Sequence, residues 1–321
     1  MWNKVKKTIT RTCTFPFKKA RHRNPRQPVI GLLLLSALSL LSSCSEMILL
    51  DPKGPIGETE RHVILTAFVL MLIVVIPVIV MAIWFPWKYR HGNNKTPYTP
   101  KWNFSWKIEL VVWLVPAFIV TSLGILVWNT TYRLDPARPV DPSIKPLTIE
   151  AVSLDWKWLF IYPNENIAVV NELVFPAGVP LSFRITSDTV MTSFFIPQLG
   201  SQIYAMAGMQ TRLNLLARVE GSYAGQNQQF SGHGYADMNF KATAVSQEHY
   251  AAWLAEVKNS NDPLNQAKYQ ELAKPTSGYH PVTHYSSVMP GLFDSILDKY
   301  RSMHSESSDT MPMNTSDAKG E

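Results

Sequence analysis

Residues Val63 to Trp87 read VILTAFVLMLIVVIPVIVMAIWFPW, a run of 25 residues without a charged side chain. A helix of this length can cross a bilayer with some tilt, so the run predicts a first transmembrane helix. A second uncharged run, Leu110 to Tyr132 (LVVWLVPAFIVTSLGILVWNTTY), predicts another. Because the two runs lie close together in the chain, they predict a transmembrane hairpin around which the remaining sequence is arranged.

The charges around the two spans predict which way the hairpin faces. The connecting loop, residues 88–109, has a single acidic residue, Glu109, among several basic ones. The basic residues are Lys88, Arg90, Lys95, Lys101 and Lys107. Loops rich in lysine and arginine stay in the cytoplasm. We therefore expect residues 44–62 and the chain after residue 132 to be periplasmic.

The first 43 residues have the composition of a secretory signal. They contain nine basic and no acidic residues, and the apolar stretch Pro28 to Leu41 is too short for an ordinary transmembrane helix. The sequence Leu41-Ser42-Ser43-Cys44 resembles the bacterial lipoprotein signal, which implies cleavage after residue 43 and acylation of Cys44 by lipid. The alternative is an uncleaved anchor helix with an incidental cysteine.

Charge and cysteine content exclude two classes of function. The chain has a formal net charge of +6, but without its leader it would have 21 basic against 24 acidic residues, which excludes a nucleic-acid partner. Cys13 would leave with the leader, and Cys44 would carry lipid. The mature chain would then have neither a disulfide nor a metal site built on thiolates.

Residues 133–300 predict a small β-domain followed by short helices. The alternation in Thr148 to Tyr162 predicts one strand. Its predicted buried face contains Val152, Leu154, Trp156, Trp158, Phe160 and Tyr162, and its other face Asp155 and Lys157. Further predicted strands are Ala168–Phe175, Pro180–Ser187, Ser193–Ile196, Thr211–Leu216 and Asn239–Val245, which together suggest an antiparallel sandwich or barrel. Predicted helices run from Ser246 to Lys258 and from Pro263 to Ala273, and residues 301–321 are predicted to be disordered.

Several local motifs, from Cys44 to about Tyr300, resemble subunit II of haem-copper terminal oxidases. They are Asp51-Pro52-Lys53-Gly54, Glu109 seven residues before Pro116, Asp155-Trp156-Lys157-Trp158, and the stretch from Val190 to Gly208. The last of these is similar to the quinol-oxidising, cytochrome bo-type branch of the family. The resemblance implies an α+β membrane protein, with a two-helix hairpin followed by an all-β, cupredoxin-like sandwich and short C-terminal helices.

Relatives that oxidise cytochrome c have a dinuclear copper centre with two bridging thiolates, because soft sulfur ligands suit copper. Alignment on the final methionine ligand puts non-ligand residues at the other ligand positions. They are Thr192 and Tyr235 at the two histidines, Asn227 and Ser231 at the two cysteines, and Gln229 at the glutamate. Met238 alone is retained. The resemblance therefore implies no metal or other cofactor in this chain and no cytochrome c partner.

The resemblance further implies a non-catalytic subunit of a proton-pumping ubiquinol oxidase, which reduces oxygen to water. Haem and copper would be in subunit I, which oxidises the quinol, and smaller subunits and membrane lipid would complete the complex. Glu109 would lie at the mouth of a proton-uptake path, the alternative being a helix-end charge paired with Lys107. Trp156 would be a packed core or interface aromatic residue.

Three other functions remain open from the sequence. The chain could be a cytochrome c oxidase subunit with degenerate ligands, which the missing thiols disfavour. It could be a periplasmic lipoprotein that binds or delivers copper outside an oxidase, although a lone binding module does not need a transmembrane hairpin in addition to a lipid anchor. It could also be an assembly factor.

Overall fold

A computed structural model describes residues 48–90, 103–276 and 278–309, with the backbone alone for residues 302–309. The predicted signal peptide, Cys44 and residues 310–321 of the predicted tail lie outside this part. The chain contains two long helices, α1 (Pro55–Lys88) and α2 (Trp106–Arg133), and then a β-rich domain. Both helices are long and apolar enough to cross a membrane.

Both long helices extend beyond the uncharged runs that predicted them. Helix α1 begins at Pro55, directly after its N-cap Gly54, because proline is well suited to the first helical position. Its first turns therefore fall within residues 44–62, which were expected to precede the membrane helix. Pro77 and Pro86 lie inside α1. Helix α2 begins at Trp106, so that Glu109 belongs to its first turn.

The β-rich domain is a sandwich of two main sheets. The larger has the strand order β12-β3-β2-β1-β5-β8 and the smaller β4-β10-β9. The strands are β1 (Leu147–Leu154), β2 (Lys157–Tyr162), β3 (Ile167–Val170), β4 (Glu172–Pro176), β5 (Leu181–Ser187), β6 (Thr192–Phe194), β7 (Ile203–Ala205), β8 (Thr211–Leu215), β9 (Gly221–Gln226), β10 (Asn239–Val245), β11 (Pro263–Leu264), β12 (Thr283–Tyr285) and β13 (Ser287–Val288). Most strand pairs are antiparallel, as predicted, but the β1–β5 and β4–β10 pairs are parallel.

The predicted single strand from Thr148 to Tyr162 is in fact a hairpin. Strands β1 and β2 pair antiparallel around the two-residue turn Asp155-Trp156, with Leu154 opposite Lys157. Paired residues present their side chains to the same face of a sheet, so the turn exchanges the two faces. Val152 and Leu154 therefore share a face with Lys157, Leu159 and Ile161, and Trp158, Phe160 and Tyr162 lie on the opposite face, in the main core.

Both faces of the large sheet are covered by other parts of the protein, so alternation of apolar and polar residues does not identify a single buried face here. The inner face packs in a core that includes Trp158, Phe160, Phe194 and Phe240. The outer face is covered by two helices of the C-terminal region, α4 (Gln266–Leu272) and α5 (Leu292–Asp309), whereas α3 (Gln247–Lys258) packs against the main core through Val257. A strand covered on both sides reads as a continuous apolar run.

The helix predictions in the C-terminal region are partly confirmed. The Ser246 hydroxyl accepts a hydrogen bond from the His249 amide (3.2 Å), and α3 ends at Lys258 as predicted. The predicted second helix from Pro263 is shorter, because Pro263 and Leu264 form strand β11 and Asn265 is the N-cap of α4. Helix α5 was not predicted, and it continues through Asp309 where disorder was expected from residue 301.

The segment before α1 is bound to the sandwich by backbone hydrogen bonds. The amide of Lys53 donates to the Gln198 carbonyl (2.8 Å), and its carbonyl accepts from the Arg218 amide (2.9 Å). The amide of Gly57 donates to the Leu199 carbonyl (3.3 Å). A Cβ atom on Gly54 would lie 2.3 Å from the Leu216 carbonyl oxygen, so only glycine permits this close approach. The start of the membrane helix is thereby fixed against the domain.

Candidate functional site: the end of the sandwich that holds the predicted ligand positions

The structure brings two of the predicted ligand segments together at one end of the sandwich. Strand β6 begins at Thr192, and the loop between β9 and β10 contains the remaining positions, from Asn227 to Met238. A bridge between Phe195 and Gln226 joins the two segments. The structure therefore brings the two segments that contain the aligned positions close together. The chemistry of their side chains decides what this end of the domain can bind.

Asn227 is the centre of a neutral hydrogen-bond network. Its side-chain oxygen accepts hydrogen bonds from the Ser193 amide (2.9 Å), the Ser193 hydroxyl (3.2 Å) and the Gln229 amide (3.0 Å). Its side-chain nitrogen donates to the Ser231 hydroxyl (3.1 Å). The amide of Gln228 donates to the Ser193 hydroxyl (2.7 Å). The two positions that the resemblance aligns with cysteine ligands are thus hydrogen-bonded to each other.

The outer positions are also engaged within the protein. The buried Thr192 hydroxyl donates to the Ser153 hydroxyl on β1 (2.7 Å). Met238 is fully buried in the main core. Tyr235 packs edge-on against Phe230, with 5.0 Å between the ring centroids. The donors at the aligned positions are therefore two amides, three hydroxyls and one thioether.

This set of donors does not fit a dinuclear copper centre. Such a centre requires bridging thiolates, and a single thioether is a weak ligand. In the part of the chain that the structure describes, no group of three or more His, Cys, Asp or Glu residues could hold a metal ion. His233, in the same loop, is exposed and lies at none of the aligned ligand positions.

The loop around His233 lies directly on the indole ring of Trp156. A Cβ atom on Gly234 would be 2.1 Å from Cδ1 of Trp156, and one on Gly232 would be 2.5 Å from its Cη2. Gly232 also has a φ of +126°, which favours glycine. Trp156 is half-buried and packs against the main core, as expected of a packed aromatic residue. The two glycines, rather than a ligand, occupy the space over its ring.

Lys157 follows Trp156 in the chain, and its place in the fold differs from the prediction. Its side chain was expected to point away from the buried face, but Lys157 is fully buried beneath the C-terminal region. Its Nζ donates to the carbonyls of Lys274 (2.9 Å) and Asp155 (3.1 Å). Burial lowers the pKa of Lys157 to about 8, and the charge of Asp155 opposes this shift. These hydrogen bonds from the Lys157 ammonium group hold residues 274–276 against the β1–β2 hairpin.

Asn171 is a second residue that sequence reasoning missed. It is fully buried, with φ = +57°, and its side-chain oxygen accepts a hydrogen bond from the Trp158 amide (2.8 Å). Its side-chain nitrogen donates to the His280 carbonyl (2.8 Å). Asparagine tolerates this left-handed backbone, and a lone asparagine between two apolar runs was the available signal.

The other predicted site residues precede the β-domain in the sequence. Glu109 is exposed in the first turn of α2, where its amide donates to the Ser105 carbonyl (3.0 Å). Cys44 lies outside the described residues. Glu109 therefore lies at the start of a candidate membrane helix.

Comparison with known proteins shows the family. The family model "Cytochrome C oxidase subunit II, periplasmic domain" matches residues 163–245, and "COX Aromatic Rich Motif" matches residues 258–304. The cytochrome bo(3) ubiquinol oxidase subunit 2 of Pseudomonas putida is 50% identical over 89% of this chain and 90% of its own length. That of Pseudomonas aeruginosa is 53% identical over 86% of this chain and 83% of its own length.

A more distant relative agrees. The ubiquinol oxidase subunit 2 of Acetobacter aceti is 48% identical over 83% of this chain and 86% of its own length. The two candidate membrane helices and the matched periplasmic domain indicate an inner-membrane protein. With identity of this extent along most of the chain, the protein belongs to the subunit 2 family of haem-copper quinol oxidases.

Proposed function

We propose that this chain is the non-catalytic subunit II of a proton-pumping ubiquinol oxidase and that it lacks the dinuclear copper centre. The observation that carries the proposal is the network around Asn227. Its side chain engages Ser193, Gln229 and Ser231 at the positions where copper-binding relatives have ligands. A chain with these donors has no port for electrons from cytochrome c.

Electrons enter the proposed complex from quinol, which subunit I oxidises with its own haem and copper. The relatives named as ubiquinol oxidase subunits support ubiquinol as the substrate. The role of this chain is to bind subunit I through its membrane hairpin. In support, the residues of α1 and α2 are mostly exposed in the isolated chain, some are half-buried, and only Gly57 and Ile119 are buried. Apolar helix surfaces of this extent require lipid or a partner subunit.

We place the β-domain in the periplasm and the loop between the helices in the cytoplasm. The basic residues between the spans support this orientation. Acylation of Cys44 would add a lipid anchor on the periplasmic side, next to the start of α1. Smaller subunits complete the complex.

Glu109 is proposed to collect protons at the cytoplasmic end of α2. Its exposed position in the first turn lets its carboxylate face a partner subunit or water. An acid at a membrane surface can transfer protons through water to a neighbouring channel. The nearby Lys107 offers the alternative of a simple ion pair, and substitution of each residue separates the two roles.

Metal analysis of the purified complex tests the proposal. We expect copper and haem in the ratio that subunit I alone requires, with no additional copper. Additional copper that is lost when Met238 is replaced by leucine would contradict the proposal, because Met238 is the retained ligand position. A chain that purifies without haem would instead favour the lone lipoprotein.

A further inference from the structure

A short apolar turn precedes the first membrane helix. Residues Ile48–Leu50 form a 3₁₀ turn in which all three side chains are large and apolar. Their exposed fractions are 49% for Ile48, 43% for Leu49 and 37% for Leu50. Within the described part of the chain, no core covers them, so this turn presents apolar surface to its surroundings.

The turn is held in a defined place. The amide of Asp51 closes it on the Ile48 carbonyl (3.3 Å), and the Lys53 ammonium pairs with the Asp51 carboxylate (2.8 Å). Lys53 is in turn bonded through its backbone to Gln198 and Arg218 of the sandwich. The Arg61 guanidinium approaches the Leu50 carbonyl at 3.5 Å. The apolar residues therefore lie beside the first turns of α1.

The contact with Arg61 gives the height of the turn relative to the membrane. Arg61 precedes the uncharged run, which starts at Val63, by two residues, or about 3 Å along a helix. The Leu50 carbonyl therefore lies within reach of a side chain that begins two residues before the apolar span. The boundary between lipid headgroups and acyl chains lies at this level, and apolar side chains of peripheral segments are buried there to a depth of about 5–10 Å.

We propose that the Ile48–Leu50 turn is a membrane-interface anchor that inserts into the periplasmic leaflet of the bilayer. The inference rests on the proposed membrane placement of α1 and goes beyond it, since it assigns a lipid contact to residues outside the span. The charged pair of Asp51 and Lys53 follows directly and stays on the aqueous side. The turn holds the start of α1 and the domain bound to it at a fixed height.

The position of Cys44 favours lipid over protein as the occupant. Three residues separate Cys44 from Ile48, so their Cα atoms, four residue steps apart, lie within about 14 Å even if the chain is extended. Acyl chains on Cys44 would enter the same leaflet at the same side of α1.

Spin-label accessibility in the assembled complex tests the proposal. A nitroxide is attached to Leu49→Cys, and the complex is reconstituted in phosphatidylethanolamine–phosphatidylglycerol nanodiscs. Collisions are measured with oxygen, which concentrates in lipid, and with a water-soluble nickel chelate. Val282→Cys is the matched control, because Val282 on the β-domain has the same exposed fraction of 43%. The parent complex gives the background from other thiols.

We expect the oxygen-to-nickel collision ratio at residue 49 to exceed that at residue 282 several-fold. An equal ratio at the two sites would place the turn in water and overturn the proposal. A label at residue 49 that is shielded from both reagents would show a protein partner there and also overturn it. If Leu49→Cys fails to assemble, Ile48→Cys replaces it. Haem content, measured on the same sample, tests the proposed function separately.

Discussion

The side-chain oxygen of Asn227 lies 2.9 Å from the backbone amide of Ser193, joining the loop after β9 to strand β6. These are the two segments that the resemblance aligns with the ligand positions of a dinuclear copper centre. Here a hydrogen-bonded amide holds them together without an ionisable group. Neutral hydrogen bonds therefore hold this end of the domain together, and their removal should lower the free energy of unfolding of the domain.

Asn227→Ala should destabilise the β-domain. The substitution leaves the buried amide of Ser193 and the half-buried amide of Gln229 without their acceptor, at a cost of about 2–4 kcal/mol. Differential scanning fluorimetry of the purified complex should show a lower Tm. The control is Gln228→Ala, because the Gln228 side chain is exposed and only its backbone takes part in the network. Equal Tm values for the two variants would contradict the structural role of Asn227.

Gly234→Ala should be incompatible with the present position of Trp156. The added methyl group would overlap the indole ring, and overpacking of this kind costs about 1–3 kcal/mol. Gly221→Ala is the control, since the nearest atom to its Cβ is 3.6 Å away. Combining Gly234→Ala with Trp156→Leu should recover part of the lost stability, and purely additive losses would show that the two residues do not contact each other.

Lys157 should make the stability of the domain depend on pH between about pH 8 and 10. Its folded pKa of about 8 lies below the unfolded value of about 10.4, so the unfolded state binds more protons in this range. The free energy of unfolding should therefore rise with pH, by at most about 1.4 kcal/mol per unit from this group. Below pH 8 the group is charged in both states and its contribution to the slope disappears.

Lys157→Met isolates this contribution from other titrating groups. Chemical unfolding of the parent and the variant at several pH values should show the parent gaining stability relative to the variant as the pH rises from 8 to 10. Parallel pH profiles of the two proteins would mean that the pKa of Lys157 is not lowered, and would contradict its burial.

Glu109→Gln should slow quinol-driven oxygen uptake several-fold without changing the haem content of the complex. The glutamine retains the size of the side chain but cannot exchange a proton, whereas Glu109→Asp should keep more activity. Lys107→Gln tests the alternative of an ion pair. If Lys107→Gln and Glu109→Gln reduce uptake equally, the ion pair is the better account; full activity of Glu109→Gln would exclude a role in proton uptake.

The membrane helices and most strands could be predicted from the sequence because long apolar runs and turn residues are local signals. The hairpin at Asp155-Trp156 could not, since its turn lacks glycine and asparagine and the alternation continues through it. The burial of Lys157 follows from that turn and from the C-terminal region, whose carbonyl at Lys274 is 117 residues away. Such contacts are set by tertiary structure and leave no local pattern.

The site was predicted as a set of positions but not as a set of contacts. The resemblance located Thr192 and the loop from Asn227 to Met238, and the structure brings these segments together. Their mutual hydrogen bonds depend on side-chain geometry that a sequence does not contain. Likewise, Gly232 and Gly234 flank His233 in the sequence, but only the fold reveals Trp156 beneath them.

Oxygen uptake by the purified complex tests the central claim most directly. The complex that contains this chain is supplied in turn with ubiquinol and with reduced cytochrome c, in the same detergent. The account predicts uptake with ubiquinol alone, because the donors around Asn227 cannot form the copper port. Uptake driven by reduced cytochrome c, and lost on substitution in the loop from Asn227 to Met238, would contradict it.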